Sequence, residues 1–491
     1  MNYRLVSRLL GIVIGILSVA FGACLGIALT LDDIKVVEET KLAFEEAMLI
    51  SFVMGTVLFY LGRGATHKFF QKEALCVIGV SWILASFLGA IPYAALVPEA
   101  GIAGAFFESA SGLTTTGASV LSDLESLPAS LLFWRCLSQW IGGMGVVVFF
   151  VAVFGFLGAG ARMLYSNEAS GSLSEADESR VQKTVLRIVY LYFTISVLCA
   201  VSYYWAGMGV FDSVCHAFAT VSTGGFSTRT ASIAAFESAE IEWIAIFFMA
   251  LCGVSFVLLL RGLRGNWEFV RKNTELWAYL TIVTLFSLGI AAFLDATEVG
   301  DAKDGLIRSS IFQVVSVLTT TGFATENFAL WPSMPKFVLL LAMVIGGSTG
   351  STAGGLKVAR VVVVLKVGIR SIEKSFRRNV VRRICLNGRT LGESTIEGIQ
   401  VFVLLSCMAL VVGLIMVSML ESSLSLDTNL SAVFACYFNI GPGLEDVGPM
   451  GNYASYGSAA KSLLALMMIT GRLELYAVLA LFSPSLWKNF R

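Results

Sequence analysis

The chain has 491 residues, of which 56% are hydrophobic and only 14% are charged. A soluble domain of this length cannot bury so much apolar surface, so the composition excludes a soluble globular protein and indicates a polytopic membrane protein. The 34 basic and 34 acidic residues give a net charge of zero. The nine cysteines form no C-x-x-C pair, so we interpret them as small buried hydrophobic residues.

Ten apolar runs have the length of spanning helices, since such a helix needs about 20 apolar residues. The first run follows Arg4 and Arg8 and has no A-x-A-like cleavage pattern, so we interpret it as a retained helix rather than a signal peptide. A glycine-rich segment interrupts the eighth run. In chain order, the runs lie near residues 9–31, 44–62, 74–97, 130–158, 188–206, 241–260, 275–294, 335–365, 398–420 and 455–482.

Four polar tracts that contain glycine lie between pairs of these runs, and each follows an apolar stretch short enough for a re-entrant half-helix. Their key glycines are 107, 98 and 119 residues apart. The pattern predicts an all-α membrane protein in which two extra transmembrane helices precede four helix–pore-loop–helix repeats around a pseudo-fourfold pore. The tracts are Thr115-Thr116-Gly117, Ser222-Thr223-Gly224, Thr320-Thr321-Gly322 and Asn439-Ile440-Gly441.

This repeat pattern divides the chain into five predicted segments. They are a two-helix prefix (1–72), pore repeat one (73–182), pore repeat two (183–272), pore repeat three (273–390) and pore repeat four (391–491).

Charged residues alternate between the connections of this predicted topology. Because cytoplasmic loops carry an excess of Lys and Arg, the basic set is predicted to be cytoplasmic, as are both termini. The four glycine tracts then open from the outside, where acidic loops attract cations. The basic set includes Arg63, Lys68, Lys72, Arg162, Arg180, Lys183, Arg187, Arg261, Arg264, Arg271, Lys272, the stretch from Arg370 to Arg389, Lys488 and Arg491. The acidic set includes Asp32, Asp33, Glu38, Glu39, Glu99, Asp123, Glu125, Asp295, Glu298, Asp301, Asp304, Glu421, Asp427, Glu445 and Asp446.

The chemistry of the tracts suits a monovalent cation. Non-helical backbone at membrane depth has to be buried in protein or line water, which places the tracts inside the helix bundle. Glycine lets successive carbonyl groups point the same way, and a ring of such oxygens replaces the hydration shell of the ion. The alternative is that the tracts are ordinary Gly/Thr turns. Since the four copies differ, we expect few well-formed ion sites.

The glycine-rich interruption is too poor in helix formers to continue a helix. It begins 24 residues after Gly322, so one helical leg returns it to the predicted pore axis. We interpret it as an intramembrane gate loop; the alternative is close helix packing through small residues. The predicted gate residues are Gly346, Gly347, Ser348, Thr349, Gly350, Ser351, Thr352, Ala353, Gly354, Gly355 and Lys357.

Arg472 lies within the last apolar run, where a charged side chain is costly. It is predicted either to face the pore below the filter and repel cations, or to anchor the gate loop. The alternative is a buried ion pair, for which Glu474 is the nearest carboxylate in the sequence.

The densest basic cluster runs from Arg370 to Arg389. It indicates either lipid headgroup contact or docking of an acidic cytosolic partner. The sequence contains no Walker motif and no dinucleotide-binding pattern, so any nucleotide control is expected to come from another chain. We expect no cofactor in this chain and no nucleic-acid partner.

These motifs together resemble the TrkH/KtrB family of potassium transporter membrane subunits over nearly the whole chain, and the two extra helices are similar to the TrkH branch. The resemblance implies K⁺ as the transported ion, a bacterial cytoplasmic (inner) membrane location and a homodimer with one pore per protomer. It also implies a cytosolic TrkA-like nucleotide-binding ring protein that opens the gate. Gly117 matches the potassium form of the family, while the fourth tract departs from T-x-G. The motifs are the stretch Trp134 to Gly145, the first three tracts, the glycine-rich loop to Lys357, and Gly471-Arg472.

Two other functions compete with potassium conduction. A secondary transporter of an organic solute usually has inverted repeats, whereas these four repeats share one orientation. An intramembrane enzyme needs paired carboxylates, a metal cluster or a nucleophile with its base, and the runs contain no such group. The sequence leaves open whether K⁺ flow is channel-like or a symport coupled to H⁺ or Na⁺.

Overall fold

The computed structural model describes residues 1–65, 71–156, 175–297, 303–377 and 379–487. Within these ranges the chain is almost entirely helical, and its strands form one short antiparallel hairpin, β1 (Cys385–Leu386) with β2 (Arg389–Thr390). Some of the charges used to predict the topology lie outside the described residues, namely Lys68, Arg162, Glu298, Asp301, Arg378, Lys488 and Arg491.

Two long helices precede the repeats, as predicted. They are α1 (Tyr3–Leu31) and α2 (Val37–Leu61), which pack against each other along their lengths. Gly11 and Gly55 meet at their contact, where a Cβ atom on Gly11 would lie 2.7 Å from the carbonyl oxygen of Gly55. Small residues of this kind let membrane helices approach closely without a water-driven hydrophobic effect.

The remaining helices form four successive units of the predicted kind, each with a long outer helix, a short pore helix and a second helix. The pore helices are α5 (Gly101–Leu113), α8 (Val210–Val221), α13 (Lys303–Leu318) and α17 (Leu426–Tyr437). In chain order the helices are α3 (Gln71–Gly89), α4 (Ile91–Leu96), α5 (Gly101–Leu113), α6 (Ala129–Phe156), α7 (Glu175–Trp205), α8 (Val210–Val221), α9 (Ala239–Cys252), α10 (Phe256–Leu263), α11 (Trp267–Arg271), α12 (Thr274–Thr297), α13 (Lys303–Leu318), α14 (Ser333–Ile345), α15 (Val358–Phe376), α16 (Glu393–Leu420), α17 (Leu426–Tyr437), α18 (Ser458–Arg472), α19 (Tyr476–Phe482) and α20 (Pro484–Trp487).

Six of the described helical segments are long and apolar enough to cross a membrane, and the number rises to eight if each of two bent helix pairs is counted as one span. The pair α9 and α10 bends by 97°, and the pair α18 and α19 bends by 115°. The eighth predicted run is interrupted, since α14 ends at Ile345 and α15 begins at Val358. Several helices start earlier than their apolar runs, and α7 already begins at Glu175, because polar residues also form helix beyond the apolar segment.

The pore helices occupy the interior, whereas the long outer helices face outward. Every residue of α5 from Gly104 to Leu113 is buried, and so are most residues of α17. By contrast, only 22% of the most apolar window of α12 is buried. This arrangement agrees with the rule that interrupted backbone at membrane depth is surrounded by protein.

Candidate functional site

Each pore helix ends in the same unusual backbone conformation. Two residues after the last turn, a residue other than glycine adopts a left-handed conformation, which is uncommon and is strained for β-branched threonine. A left-handed residue that recurs in four places around one centre, three times at a strained threonine, is typical of a functional site. The four residues and their φ angles are Thr115 (53°), Thr223 (53°), Thr320 (55°) and Asn439 (58°).

A glycine with positive φ follows two positions later in each repeat. These glycines are Gly117 (82°), Gly225 (80°), Gly322 (81°) and Gly441 (98°). The structure therefore corrects the predicted alignment of the second repeat by one residue, because Gly225 rather than Gly224 is the equivalent of Gly117. Gly224 instead occupies the position of Thr116, Thr321 and Ile440. Two adjacent glycines made the sequence ambiguous, although the T-x-G pattern fits Thr223-Gly224-Gly225.

These four glycines and the four preceding carbonyl groups close into a ring. A Cβ atom built on each glycine would lie closer than 3.0 Å to the carbonyl oxygen of the next repeat, a separation that real Cβ atoms essentially never show. Only glycine fits at these positions. The pairs run once around the axis: Gly117 with Gly224, Gly225 with Thr321, Gly322 with Ile440, and Gly441 with Thr116.

The side chains of the left-handed residues play different roles. The hydroxyl of Thr115 is buried and has no hydrogen-bond partner in the described part of the chain. The amide of Asn439 instead donates to the Thr116 hydroxyl at 2.9 Å and to the Met468 carbonyl oxygen at 2.9 Å. Where the fourth tract departs from T-x-G, the amide of Asn439 therefore links the fourth repeat to the first.

A buried ion pair supports the first tract from behind. Glu108 and Arg135 are each about 1% exposed, and the Nη2 atom of Arg135 lies 2.8 Å from the Glu108 carboxylate. The carboxylate also accepts hydrogen bonds from the Ser119 hydroxyl and the Val120 amide. Arg135 Nη1 donates to the Ser227 carbonyl oxygen at 3.2 Å, so the pair links the first and second tracts. Sequence reasoning assigned no role to Arg135 although it lies in the quoted motif.

The glycine-rich loop lies against the tracts, at the ends where the pore helices terminate. All of Gly346 to Gly354 is buried. The Thr352 hydroxyl donates to the Val221 carbonyl oxygen at 3.1 Å, and the Gly354 amide donates to the Thr320 hydroxyl at 2.6 Å. The loop therefore contacts the second and third tracts directly.

Three anchors hold this loop from its other side. Glu275, at the start of α12, accepts a hydrogen bond from the Thr349 amide at 2.5 Å. The Ser348 amide donates to the carbonyl oxygen of Gly253 at 2.9 Å, at the bend between α9 and α10. Lys357 is buried and its ammonium group donates to the Ala353 carbonyl oxygen.

Arg472 is buried at the end of α18, and its Nη1 atom donates to the Thr352 carbonyl oxygen at 2.9 Å. Its Nε and Nη2 atoms have no hydrogen-bond partner among the residues that the structure describes. Glu474 pairs with Arg360 at 2.7 Å, so the alternative of a buried Arg472–Glu474 pair is wrong. The contact agrees with the interpretation that Arg472 anchors the loop.

This fold and site define a class: a multi-pass helical membrane protein with four pore-loop repeats around one axis. A family model described as TrkH, a cation transport protein, matches residues 40–266 and 274–489. The chain belongs to the TrkH family and is a transport protein rather than an enzyme.

Individual relatives match over the full length. The Trk system potassium uptake proteins TrkH of Salmonella typhimurium and of Escherichia coli K12 are each 33% identical over 496 residues, with complete coverage of both chains. The crystal structure of the potassium transporter TrkH from Vibrio parahaemolyticus has a TM-score of 0.90 and 29% identity, and the match covers 99% of this chain and 100% of that one. These matches confirm the resemblance that the sequence motifs carried.

Proposed function

We propose that this chain carries K⁺ into the cell through the ring of Thr116, Gly224, Thr321 and Ile440 carbonyl oxygens. The observation that supports the proposal most strongly is the closed ring itself, in which every glycine abuts the carbonyl group of the next repeat. The relatives that match over their full length are potassium uptake proteins. A ring of backbone oxygens is the kind of ligand set that replaces the hydration shell of K⁺.

The electrostatics of the pore helices favour a cation over an anion. Each helix ends directly before its tract, and the C-terminal end of a helix carries about half a negative charge. Four such ends converge on the ring. The buried Thr115 hydroxyl adds an oxygen at the same place. The predicted filter residues are thus proposed as the K⁺ site, with Gly225 added to the set.

The loop from Gly346 to Gly355 is proposed as the gate. Two sets of contacts support this proposal. The loop donates hydrogen bonds to Val221 and Thr320, and Arg472 and Glu275 anchor it at the end of α18 and the start of α12. Individual hydrogen bonds hold the loop, and each contributes about 0.5–1.5 kcal/mol net, or about 1.5–3 kcal/mol where one partner is charged, as at Arg472 and Glu275.

The proposal includes an assembly and an orientation. Both termini and the basic cluster around Arg370 to Arg389 lie in the cytoplasm, in agreement with the charge bias of the sequence. The relatives belong to a Trk system, which supports a separate cytosolic partner. We propose a homodimer in the inner membrane, with a TrkA-like nucleotide-binding ring docked on the basic cluster.

Rubidium uptake into vesicles that contain the purified chain tests the transport function. We expect uptake that K⁺ inhibits more strongly than Na⁺, in the wild type and in a variant that lacks Gly350 to Ala353. Imposed H⁺ and Na⁺ gradients, applied in turn, separate channel-like flow from symport. Failure of both proteins to exceed protein-free vesicles would contradict the proposal, as would uptake of an organic solute in place of rubidium.

A further inference from the structure

The four repeats contribute different residues to the ring of carbonyl groups described above. The residue before each ring glycine is Thr116, Gly224, Thr321 or Ile440, so the second repeat alone has no side chain there. In repeats one and three the threonine hydroxyl lies behind the tract and bonds a second threonine. Thr116 pairs with Thr114 at 2.7 Å, and Thr321 pairs with Thr319 at 2.8 Å.

A side chain from another repeat fills this position in repeat two. Gln139, on α6 of the first repeat, is fully buried. Its Nε2 atom donates to the Gly224 carbonyl oxygen at 2.6 Å, and its Oε1 atom accepts from the Phe226 amide at 3.0 Å. The carboxamide therefore forms hydrogen bonds with the residues on both sides of the ring glycine Gly225.

Steric data show that Gln139 occupies the volume of a missing side chain. A Cβ atom on Gly224 would meet three atoms of Gln139 before any other group, with Oε1 at 2.5 Å and Nε2 at 2.8 Å. Gly224 is not among the glycines with positive φ, so its backbone accepts an ordinary side chain. The obstacle to a side chain at this position is Gln139 rather than the backbone.

Gln139 also changes the chemistry of one ring carbonyl group. In the described part of the chain, the carbonyl oxygens of Thr116, Thr321 and Ile440 accept no hydrogen bond, whereas that of Gly224 accepts one from Gln139. The field that coordinating carbonyl dipoles present to an ion contributes to selectivity. A carbonyl oxygen that already accepts a strong hydrogen bond presents a weaker and more firmly oriented field to the ion.

We propose that Gln139 is a positioning residue for ion selectivity, which stands in for the absent side chain at position 224 and fixes the Gly224 carbonyl group in the ring. This inference rests on the proposed function, since it assumes that ions pass through the ring. In this arrangement, three ring carbonyl groups are alike, and the fourth, that of Gly224, is oriented by a hydrogen bond from Gln139 of the first repeat.

A reciprocal exchange tests this role. Gln139→Leu keeps the bulk but loses the hydrogen bonds, and we expect the K⁺-over-Na⁺ preference in rubidium uptake to fall about tenfold, as for one hydrogen bond of about 1.4 kcal/mol. Gly224→Thr alone should abolish uptake, because the new side chain collides with Gln139. The double variant Gln139→Ala with Gly224→Thr should regain uptake and most of the preference. The hydroxyl introduced at position 224 would lie beside Ser222, which is the equivalent of Thr114 and Thr319, and could form the same hydroxyl pair as in repeats one and three.

Matched controls keep the outcome decisive. Gln400→Leu makes the same chemical change on an exposed face of α16 and should leave the ion preference unchanged. If Gln139→Leu folds and keeps the wild-type preference, the inference is overturned. If the single variants fail to fold, a folded and selective double variant still supports it, and a double variant no better than Gly224→Thr overturns it. Absence of wild-type uptake would instead refute the proposed function, so the two failures are distinguishable.

Discussion

The Nη1 atom of Arg472 lies 2.9 Å from the carbonyl oxygen of Thr352, 120 residues away in the sequence. This hydrogen bond joins the end of α18, in the last repeat, to the middle of the loop in the third repeat. A charged donor makes the contact stronger than a neutral one. The hydrogen bond therefore ties the loop to the last residue of α18, just before the bend between α18 and α19.

Removal of this donor should loosen the gate. We expect Arg472→Ala to raise rubidium uptake without a partner protein several-fold, because the Thr352 carbonyl group loses its anchor and a buried positive charge near the ion path is removed. Rubidium uptake by Arg472→Lys should lie between that of the wild type and that of Arg472→Ala. Thermal stability in detergent is the control, since Glu474 keeps its partner Arg360 in either variant. Loss of stability with a matching loss of uptake would show that Arg472 is only structural.

Deletion of Gly350 to Ala353 should raise basal cation uptake more than any single substitution, because it shortens the loop and removes Thr352, which contacts both Val221 and Arg472. The measurement is rubidium uptake by vesicles with equal amounts of folded protein. Lower uptake by a folded, correctly assembled variant would mean that the segment serves helix packing and is not a gate.

Glu275 offers a conservative test of the second anchor. Glu275→Leu cannot accept the hydrogen bond from the Thr349 amide and should increase basal uptake. Glu275→Gln keeps an acceptor oxygen at the same place and should behave more like the wild type. Equal behaviour of the two variants would contradict a role for this hydrogen bond in holding the loop.

Gly117 tests the ring through steric exclusion. Gly117→Ser places a side chain against the Gly224 carbonyl group and removes the residue type that tolerates a φ of 82°. We expect Na⁺ to compete better with rubidium, and total uptake to fall. The control Gly289→Ser adds the same group where no atom lies within 4 Å of a new Cβ. An unchanged preference in Gly117→Ser would remove this glycine from the filter.

The buried pair behind the first tract should be important for stability. Arg135→Met leaves the Glu108 carboxylate buried without its ionic partner, which costs about 3–5 kcal/mol in buried pairs. Adding Glu108→Gln to Arg135→Met should recover part of the lost stability, because no unpaired charge remains buried. Thermal unfolding in detergent measures the stability of both variants. Lys272→Met, which breaks the exposed pair with Glu268, is the control and should have little effect. Equal effects of Arg135→Met and Lys272→Met would contradict the structural role.

The sequence predicted the overall architecture well because the signals are local. Among the described residues, eight of the ten apolar runs match candidate spans when each bent helix pair counts as one, and the similar polar tracts matched the ends of the four pore helices. Five glycines within Gly346 to Gly355 identified the break in the eighth run. The segment boundaries at 72, 182, 272 and 390 stay predictions, and so do the cytoplasmic termini.

The sequence could not predict which distant side chains meet. Apolar periodicity reports burial, but it does not say that Arg360 pairs with Glu474 or that Gln139 reaches Gly224. The one-residue shift to Gly225 has a related cause. Adjacent glycines are interchangeable by composition, and only backbone angles and contacts across the ring distinguish them.

Locating the ion tests the central claim most directly. Thallium(I), a heavy substitute for K⁺, can be placed by its anomalous scattering in crystals of the protein. The account predicts a peak on the axis, within coordination distance of the Thr116, Gly224, Thr321 and Ile440 carbonyl oxygens, which weakens when Na⁺ is replaced by K⁺ as the competing ion. A peak confined to other sites, with none at the ring, would contradict the account.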